Sequence, residues 1–274
     1  MKYINYLLKK KQKKEQITAL TAYDHITARI LEEAGIDIIL VGDSYGMVKL
    51  GFDNTLPVTM EQMLTITKAV STGVKDSIII ADMPFLSFHT NTSDAIKNAG
   101  LFLKETKAQG VKIESHKGNL DLIGRVIKAD IPVMGHLGLV PQSIYRLGGY
   151  KTQGKTAEEA LTLISMARQL EDLGCFAIIL EGVASEVTQK IAEALRIPII
   201  GIGSGPCDGQ ILVLDDLLGC NPDINLKHAK KYANLFQITK QAVVNYKKDI
   251  VSGKFPDKTH YDRMNKDELN KLQS

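Results

Sequence analysis

Three stretches of the chain share one pattern: a short, nearly unbroken apolar run that stops on a carboxylate. Ile36–Ser44 reads IDIILVGDS, Ser77–Pro84 reads SIIIADMP and Gly110–Ser115 reads GVKIES; their acids are Asp43, Asp82 and Glu114. Runs this short and this apolar read as strands buried on both faces, as in a parallel sheet. A carboxylate buried at such an end needs a metal, a cation or several donors. The pattern therefore constrains fold and chemistry together.

The rest of the chain supplies the strands and helices that such a sheet needs. Further strand candidates are Gln16–Ala22, Ile131–Gly138, Cys175–Glu181, Ile197–Gly205 and a short Gln210–Leu214. Helical stripes lie between them. Asp24 is placed to cap a helix with Ile26, Ile30, Leu31 and Ala34 on one face. Thr59 with Gln62, and Thr156 with Glu159, form capping boxes, and Ser93 is a further cap candidate. Ser185 is expected to cap the helix after strand six, and a long final helix is expected over 226–251. Eight strands alternating with helices predict an α/β fold, the (β/α)₈ TIM barrel, as one domain over 1–274. A helix within 1–15 precedes it and a polar tail, 255–274, follows. The doubly wound sheet is the alternative. It would carry GxGxxG in its first turn, which Ile17–Tyr23 lacks, and Gly201–Pro206 ends in proline where that fingerprint needs glycine.

Composition narrows the class. The chain has 274 residues, 44% hydrophobic and 24% charged, with a net charge of +3, which suits one large core. Basic residues are spread out, so no nucleic-acid partner is expected. No apolar run approaches the ~20 residues that span a bilayer, so no membrane partner is expected either. Cys175, Cys207 and Cys220 are odd in number and lack CxxC spacing, which fits a reducing compartment and argues against a disulfide framework or a structural zinc site. The basic run Lys9–Lys14 reads as the solvated end of a short leading helix, Tyr3–Lys9, rather than a targeting peptide.

In a barrel, active residues stand at the carboxyl ends of strands. Asp43, Asp82 and Glu114, on strands two to four, would converge on one patch and repel one another unless a cation sits among them. A hard ion held by oxygen is expected, with Mg²⁺ the default. The plainer alternative is that each acid caps a helix or pairs with a lysine. Lys112 shares a strand face with Glu114. It could form a Schiff base or stay charged and grip a carboxylate; neighbouring acids favour the charged role. Glu181 closes strand six, across the mouth, where an apolar setting would tune it as a base. His136 closes strand five, either as a packing residue or in support of the site. Ser44 could donate to a substrate carboxylate or bond locally. Metal, cation and separate base together suit enolisation of a chelated 2-oxo acid and attack of the enolate on a carbon electrophile.

At these residues the chain resembles a known family. LTAYDHITARILEEAGIDIILVGDS, ADMPF, NAG, VKIE, VMGHLGLVPQS, GGYKTQG, LEGV and GIGSGPCDGQILVLDDLLG are similar, in order, to the signature blocks of ketopantoate (3-methyl-2-oxobutanoate) hydroxymethyltransferases, over Thr18–Gly219. The resemblance implies a (β/α)₈ barrel of the phosphoenolpyruvate/pyruvate type. It implies transfer of a hydroxymethyl group from 5,10-methylenetetrahydrofolate to 3-methyl-2-oxobutanoate, giving 2-dehydropantoate for pantothenate and coenzyme A synthesis. It further implies Mg²⁺ on Asp43, Asp82 and Glu114, oxo-acid binding by Asp43, Ser44, Asp82 and Lys112, and Glu181 as proton acceptor, in a cytoplasmic homo-oligomer, typically a decamer. The chain departs from the family at Ser115-His116, where two glycines are usual, at Ser204 and in its tail after Pro256.

Three other readings stay open at this level. One is a Mg²⁺-dependent lyase or mutase of the isocitrate-lyase type. Another is a catalytically silent barrel kept for binding or assembly. A third, a phosphate-binding barrel, rests on the glycines of 201–209. The glycine-rich loop 139–155, with Lys151 and Lys155, is expected either to line a folate entrance or to be a solvated loop.

Overall fold

The structure is a computed structural model that describes residues 2–149 and 151–272, with Leu147 described by its main chain alone. Eight parallel strands close into a barrel in sequence order: β1 (Ile17–Thr21), β2 (Ile38–Val41), β3 (Ile78–Asp82), β4 (Gly110–Glu114), β5 (Val133–Gly138), β6 (Ala177–Glu181), β7 (Ile199–Ile202) and β8 (Gly209–Leu212). The helices are α1 (Asn5–Gln12), α2 (His25–Glu33), α3 (Tyr45–Val48), α4 (Met60–Gly73), α5 (Thr92–Glu105), α6 (Leu120–Lys128), α7 (Ile144–Leu147), α8 (Ala157–Leu173), α9 (Ser185–Ala194), α10 (Leu214–Leu218), α11 (Leu235–Val251) and α12 (Lys266–Lys271). The expected barrel is thus present. Between β7 and β8, residues 203–208 form the connection without a helix.

Internal contacts gather the chain into two compact units: residues up to Leu214 with Leu226–Lys230, and Asp215–Asn225 with Lys231 onward. No linker or shift of composition marks that division, so the sequence reads as one domain. In the first unit, Ile17, Ala19, Ile38, Leu40, Ile78, Ile80, Met134, Ala177, Ile179, Ile200 and Ile211 form one buried cluster with Leu7. The β-branched residues suit the pleated, doubly covered strands, and Leu7 brings α1 onto the cluster. The basic run on α1 does more than face water. Lys10 Nζ lies 2.6 Å from Asp37 Oδ2, just ahead of β2. Lys11 Nζ reaches Asp208 Oδ2 at 2.7 Å and the carbonyls of Ala192 and Ile197, each at 2.9 Å. These partners precede β2, β7 and β8, so α1 stands at the amino ends of the strands, opposite the chemistry.

Both capping boxes form, and Asp24 Oδ1 accepts the Thr27 N–H at 2.9 Å. Other local readings are corrected. Asn91, not Ser93, caps α5, because its carboxamide reaches the Asp94 N–H at 2.9 Å. Ser185 is the first residue of α9 rather than its cap. On α2 the buried residues are Ala28 and Leu31, while Ile26 and Ile30 are exposed. The face is chosen by α4: a Cβ on Gly73 would stand 2.5 Å from the His25 carbonyl oxygen and 3.1 Å from Ala28 Cβ. Glycine lets the two helices meet there. In the second unit α11 begins at Leu235, where Asn234 accepts the Gln237 N–H, rather than at residue 226. Phe255 packs against Tyr246 and His260 beyond its end.

Candidate active site

Strand register assembles the site. In parallel pairing, Asp82 lies beside Lys112, Glu114 beside His136, and Gly138 beside Glu181. The stagger of a barrel thus carries polar residues around the mouth. The close fit of β5 and β6 depends on Gly138, at φ +95°, where a Cβ would stand 2.3 Å from the Glu181 carbonyl oxygen.

Asp43, Asp82, Lys112, Glu114 and His136 are all buried. Asp82 Oδ2 accepts the Asp43 N–H at 3.1 Å, and its Oδ1 faces Lys112 Nζ at 2.9 Å. Lys112 Nζ also donates to His136 Nδ1 at 3.2 Å. An ammonium has no lone pair to offer, so Nδ1 is the acceptor and the ring hydrogen is on Nε2. That Nε2 stands 3.2 Å from Glu181 Oε2. A line of polar contacts therefore runs from Asp82 through Lys112 and His136 to Glu181. Ser44 Oγ is 2.8 Å from the Tyr23 hydroxyl and makes no cap bond to α3. The local-backbone alternative for Ser44 is not what the structure shows.

Burial dominates the electrostatics. It raises Asp43 and Glu114 above the ordinary carboxylate range and, with Asp43 alongside, takes Asp82 to about 7. Burial would lower the Lys112 ammonium, but Asp82, Asp43 and Glu114 together hold it above its usual value. That direction favours the charged role over the Schiff base. Burial, then Lys112, keeps His136 neutral. Burial raises Glu181 to about 7, against the pull of Lys112 and His228. Among the described residues, no three His, Cys, Asp or Glu side chains close into a ready-made metal cage.

The family model of ketopantoate hydroxymethyltransferase matches residues 2–258. The chain belongs to the ketopantoate hydroxymethyltransferase family. It is 50% identical over 254 residues to the 3-methyl-2-oxobutanoate hydroxymethyltransferase of Thermotoga maritima (strain ATCC 43589 / DSM 3109 / JCM 10099 / NBRC 100826 / MSB8), covering 92% of this chain and 94% of that one. It is 44% identical over 270 residues to that of Syntrophomonas wolfei subsp. wolfei (strain DSM 2245B / Goettingen), covering 98% of each. Among solved structures, 2,3-dimethylmalate lyase, a PEP mutase/isocitrate lyase superfamily member, matches with a TM-score of 0.59 at 15% identity, over 94% of this chain and 91% of that one. Phosphonopyruvate hydrolase in complex with oxalate and Mg²⁺ matches with a TM-score of 0.58 at 13% identity, over 99% and 95%. These structural likenesses show the fold alone, the eight-stranded TIM barrel.

For this family member, every site residue read from the sequence lies at the carboxyl end of the barrel. Gln142, Thr55 and Tyr23 were missed. Gln142 follows β5 and bonds to Asp43 and Glu114, Thr55 lies against Asp43, and Tyr23 holds Ser44. Neutral loop residues carry no periodicity and no charge pattern, so a single sequence has no signal for them. His228 lies against Gly203 and pulls Glu181 down, and it too is on an unpatterned segment.

Proposed function

We propose that this chain carries out its family's reaction. It moves a hydroxymethyl group from 5,10-methylenetetrahydrofolate to 3-methyl-2-oxobutanoate, giving 2-dehydropantoate, with Glu181 as the base. One observation carries the reading: the line Asp82–Lys112–His136–Glu181 puts three carboxylates and a cation at one side of the mouth and a single tuned base at the other.

The donor set suits a hard divalent ion. Asp43, Asp82 and Glu114 are crowded acceptors: Asp43 raises Asp82, and both raise Glu114. Mg²⁺ needs no closed cage, since it takes one or two carboxylates and keeps waters or substrate oxygens. Asp43, Asp82 and Glu114 would hold it, and when bound it acidifies the C3 proton of a chelated 2-oxo acid and stabilises the enolate. The chain's own residues do the rest. Lys112 and Ser44 grip the substrate carboxylate with Asp43 and Asp82 nearby. His136, neutral and held at Nδ1 by Lys112, stands with Nε2 3.2 Å from Glu181 Oε2. Glu181, near neutrality in pKa, accepts the C3 proton. The resulting carbon attacks the folate methylene carbon, both C–N bonds to that carbon break, water supplies the hydroxyl oxygen, and the C3 proton with one from the water ends on N5 and N10 of the departing tetrahydrofolate.

The loop 139–155 supports folate entry beside Glu181. Gln153 N donates to the Gly182 carbonyl at 2.8 Å, which ties the loop's far end to β6, and Lys151 and Lys155 are exposed. Tyr150 lies outside the described residues. Replacing both lysines with glutamine is expected to raise the folate KM; an unchanged KM removes them from folate binding. The same reading includes a cytoplasmic homo-oligomer, a decamer by family resemblance. No helix among the described residues is long and apolar enough to cross a membrane.

The test is deuterium exchange at C3 of 3-methyl-2-oxobutanoate, followed by NMR in D₂O with Mg²⁺ or with EDTA, with and without tetrahydrofolate. Mg²⁺-dependent exchange is expected, falling by about 100-fold or more in Glu181→Gln. Absence of exchange under every condition would sink the assignment.

A further inference from the structure

Gln142 is 7% exposed, in the turn Pro141–Ser143 just beyond β5. Its main-chain N–H donates to both Glu114 oxygens, at 3.1 and 3.0 Å. Its side-chain Nε2 donates to Asp43 Oδ2 at 2.8 Å and to the Met83 carbonyl at 2.9 Å. A main-chain carbonyl only accepts, so the orientation of the amide is settled: nitrogen faces Asp43 and Met83. Gln142 Oε1 is then left buried with no hydrogen-bond partner. Thr55 Oγ1 is buried against Asp43 and favours its charged form. Leaving a buried acceptor unmatched is costly, and such a group in a site calls for a partner supplied when the site works. The carboxylates of Asp43, Asp82 and Glu114 offer acceptors rather than donors when they hold a cation. The missing donor therefore comes from outside the chain.

We propose that Gln142 is a positioning residue of the cation site: it fixes Asp43 and Glu114 through its two N–H groups and accepts, at Oε1, a hydrogen bond from a water in the cation's hydration shell. This rests on the cation reading given above. The chemistry fits because Mg²⁺ retains waters, and a water on a divalent ion is a strong donor. Outer partners of this kind govern metal affinity as much as the ligands' orientation does.

The test uses the full chain with Mn²⁺ as the probe. Affinity is read by electron paramagnetic resonance titration, and the bound water by proton relaxation enhancement per bound ion. In Gln142→Met, Mn²⁺ binding is expected to weaken by about 10- to 100-fold, as for other outer-shell changes, and the enhancement per bound ion to change. Gln142→Glu keeps an oxygen at the Oε1 position but loses the donor to Asp43, so its affinity is expected to change while the enhancement per bound ion stays at the wild-type value; it carries the test if the methionine variant fails to fold by circular dichroism, and a changed enhancement in it would then overturn the contact at Oε1. Unchanged affinity in Gln142→Met would overturn the proposal. Weaker binding with an unchanged enhancement would overturn the contact at Oε1. A wild-type chain that does not bind Mn²⁺ at all would overturn the cation reading instead, before any variant is compared.

Discussion

Glu181 stands 3.2 Å from His136 across β5 and β6, and its burial there gives it a definite pH behaviour. Burial lifts Glu181 from the usual 4.5 to about 7. The exchange rate at C3 is therefore expected to rise with pH and level off above about 7, and Glu181→Gln to lose that rise. The same shift bears on stability. Below pH 4.5 the group is protonated folded and unfolded, so it has no effect. Between 4.5 and about 7 the unfolded chain gives up its proton first and the folded state loses stability; above about 7 the cost is constant. At about 1.4 kcal/mol per unit the cost is roughly 3 kcal/mol. Thermal melts should show Glu181→Gln more stable than wild type at pH 8 and equal to it at pH 4. Equal melting at both would mean that the carboxylate is not desolvated as described.

Elements set the rigidity behind those residues. Leu7 on α1 is fully buried in the cluster that fills the barrel, and Lys10 and Lys11 anchor the same helix to Asp37 and Asp208. Leu7→Ala is expected to cost about 2–5 kcal/mol in urea unfolding, the range for a leucine lost from a core. The kcat of the remaining folded protein should hold, because α1 is at the amino ends of the strands. A loss below 1 kcal/mol would show that α1 is dispensable to the core. The loop after β5 works in the other direction. It carries Gln142 to Asp43 and Glu114 and ends tied beside Glu181, so it links both sides of the mouth.

At the scale of the whole molecule, the second unit has surface to cover. The helix α11 runs for 17 residues with none buried, and Ile238, Val243, Tyr246 and Val251 are among its exposed apolar side chains. Helices draw most of their stability from packing apolar side chains, and exposed apolar side chains in this number suit association with another chain. The homo-oligomer expected from the family is the occupant that fits both. Sedimentation equilibrium should find a species of several 30.1 kDa chains, with ten as the family's number. A monomer at micromolar concentration would remove the oligomer from the proposal.

Much of this was legible without coordinates. Apolar runs ending in Asp43, Asp82, Glu114 and Glu181 announce buried parallel strands with chemistry at one end, because continuous apolarity and a terminal charge are local properties. Capping at Asp24, Thr59 and Thr156 is legible for the same reason: donor and acceptor lie three residues apart. The face of α2 was not, since Ile26 and Ile30 match the helical period as well as Ala28 and Leu31 do. The approach of Gly73 on α4 made the choice. The role of Lys112 as a paired cation, the tautomer of His136 and the place of Gln142 also belong to tertiary structure alone. Each depends on distances between strands and loops tens of residues apart, and those distances follow from the closure and stagger of the barrel rather than from any local pattern.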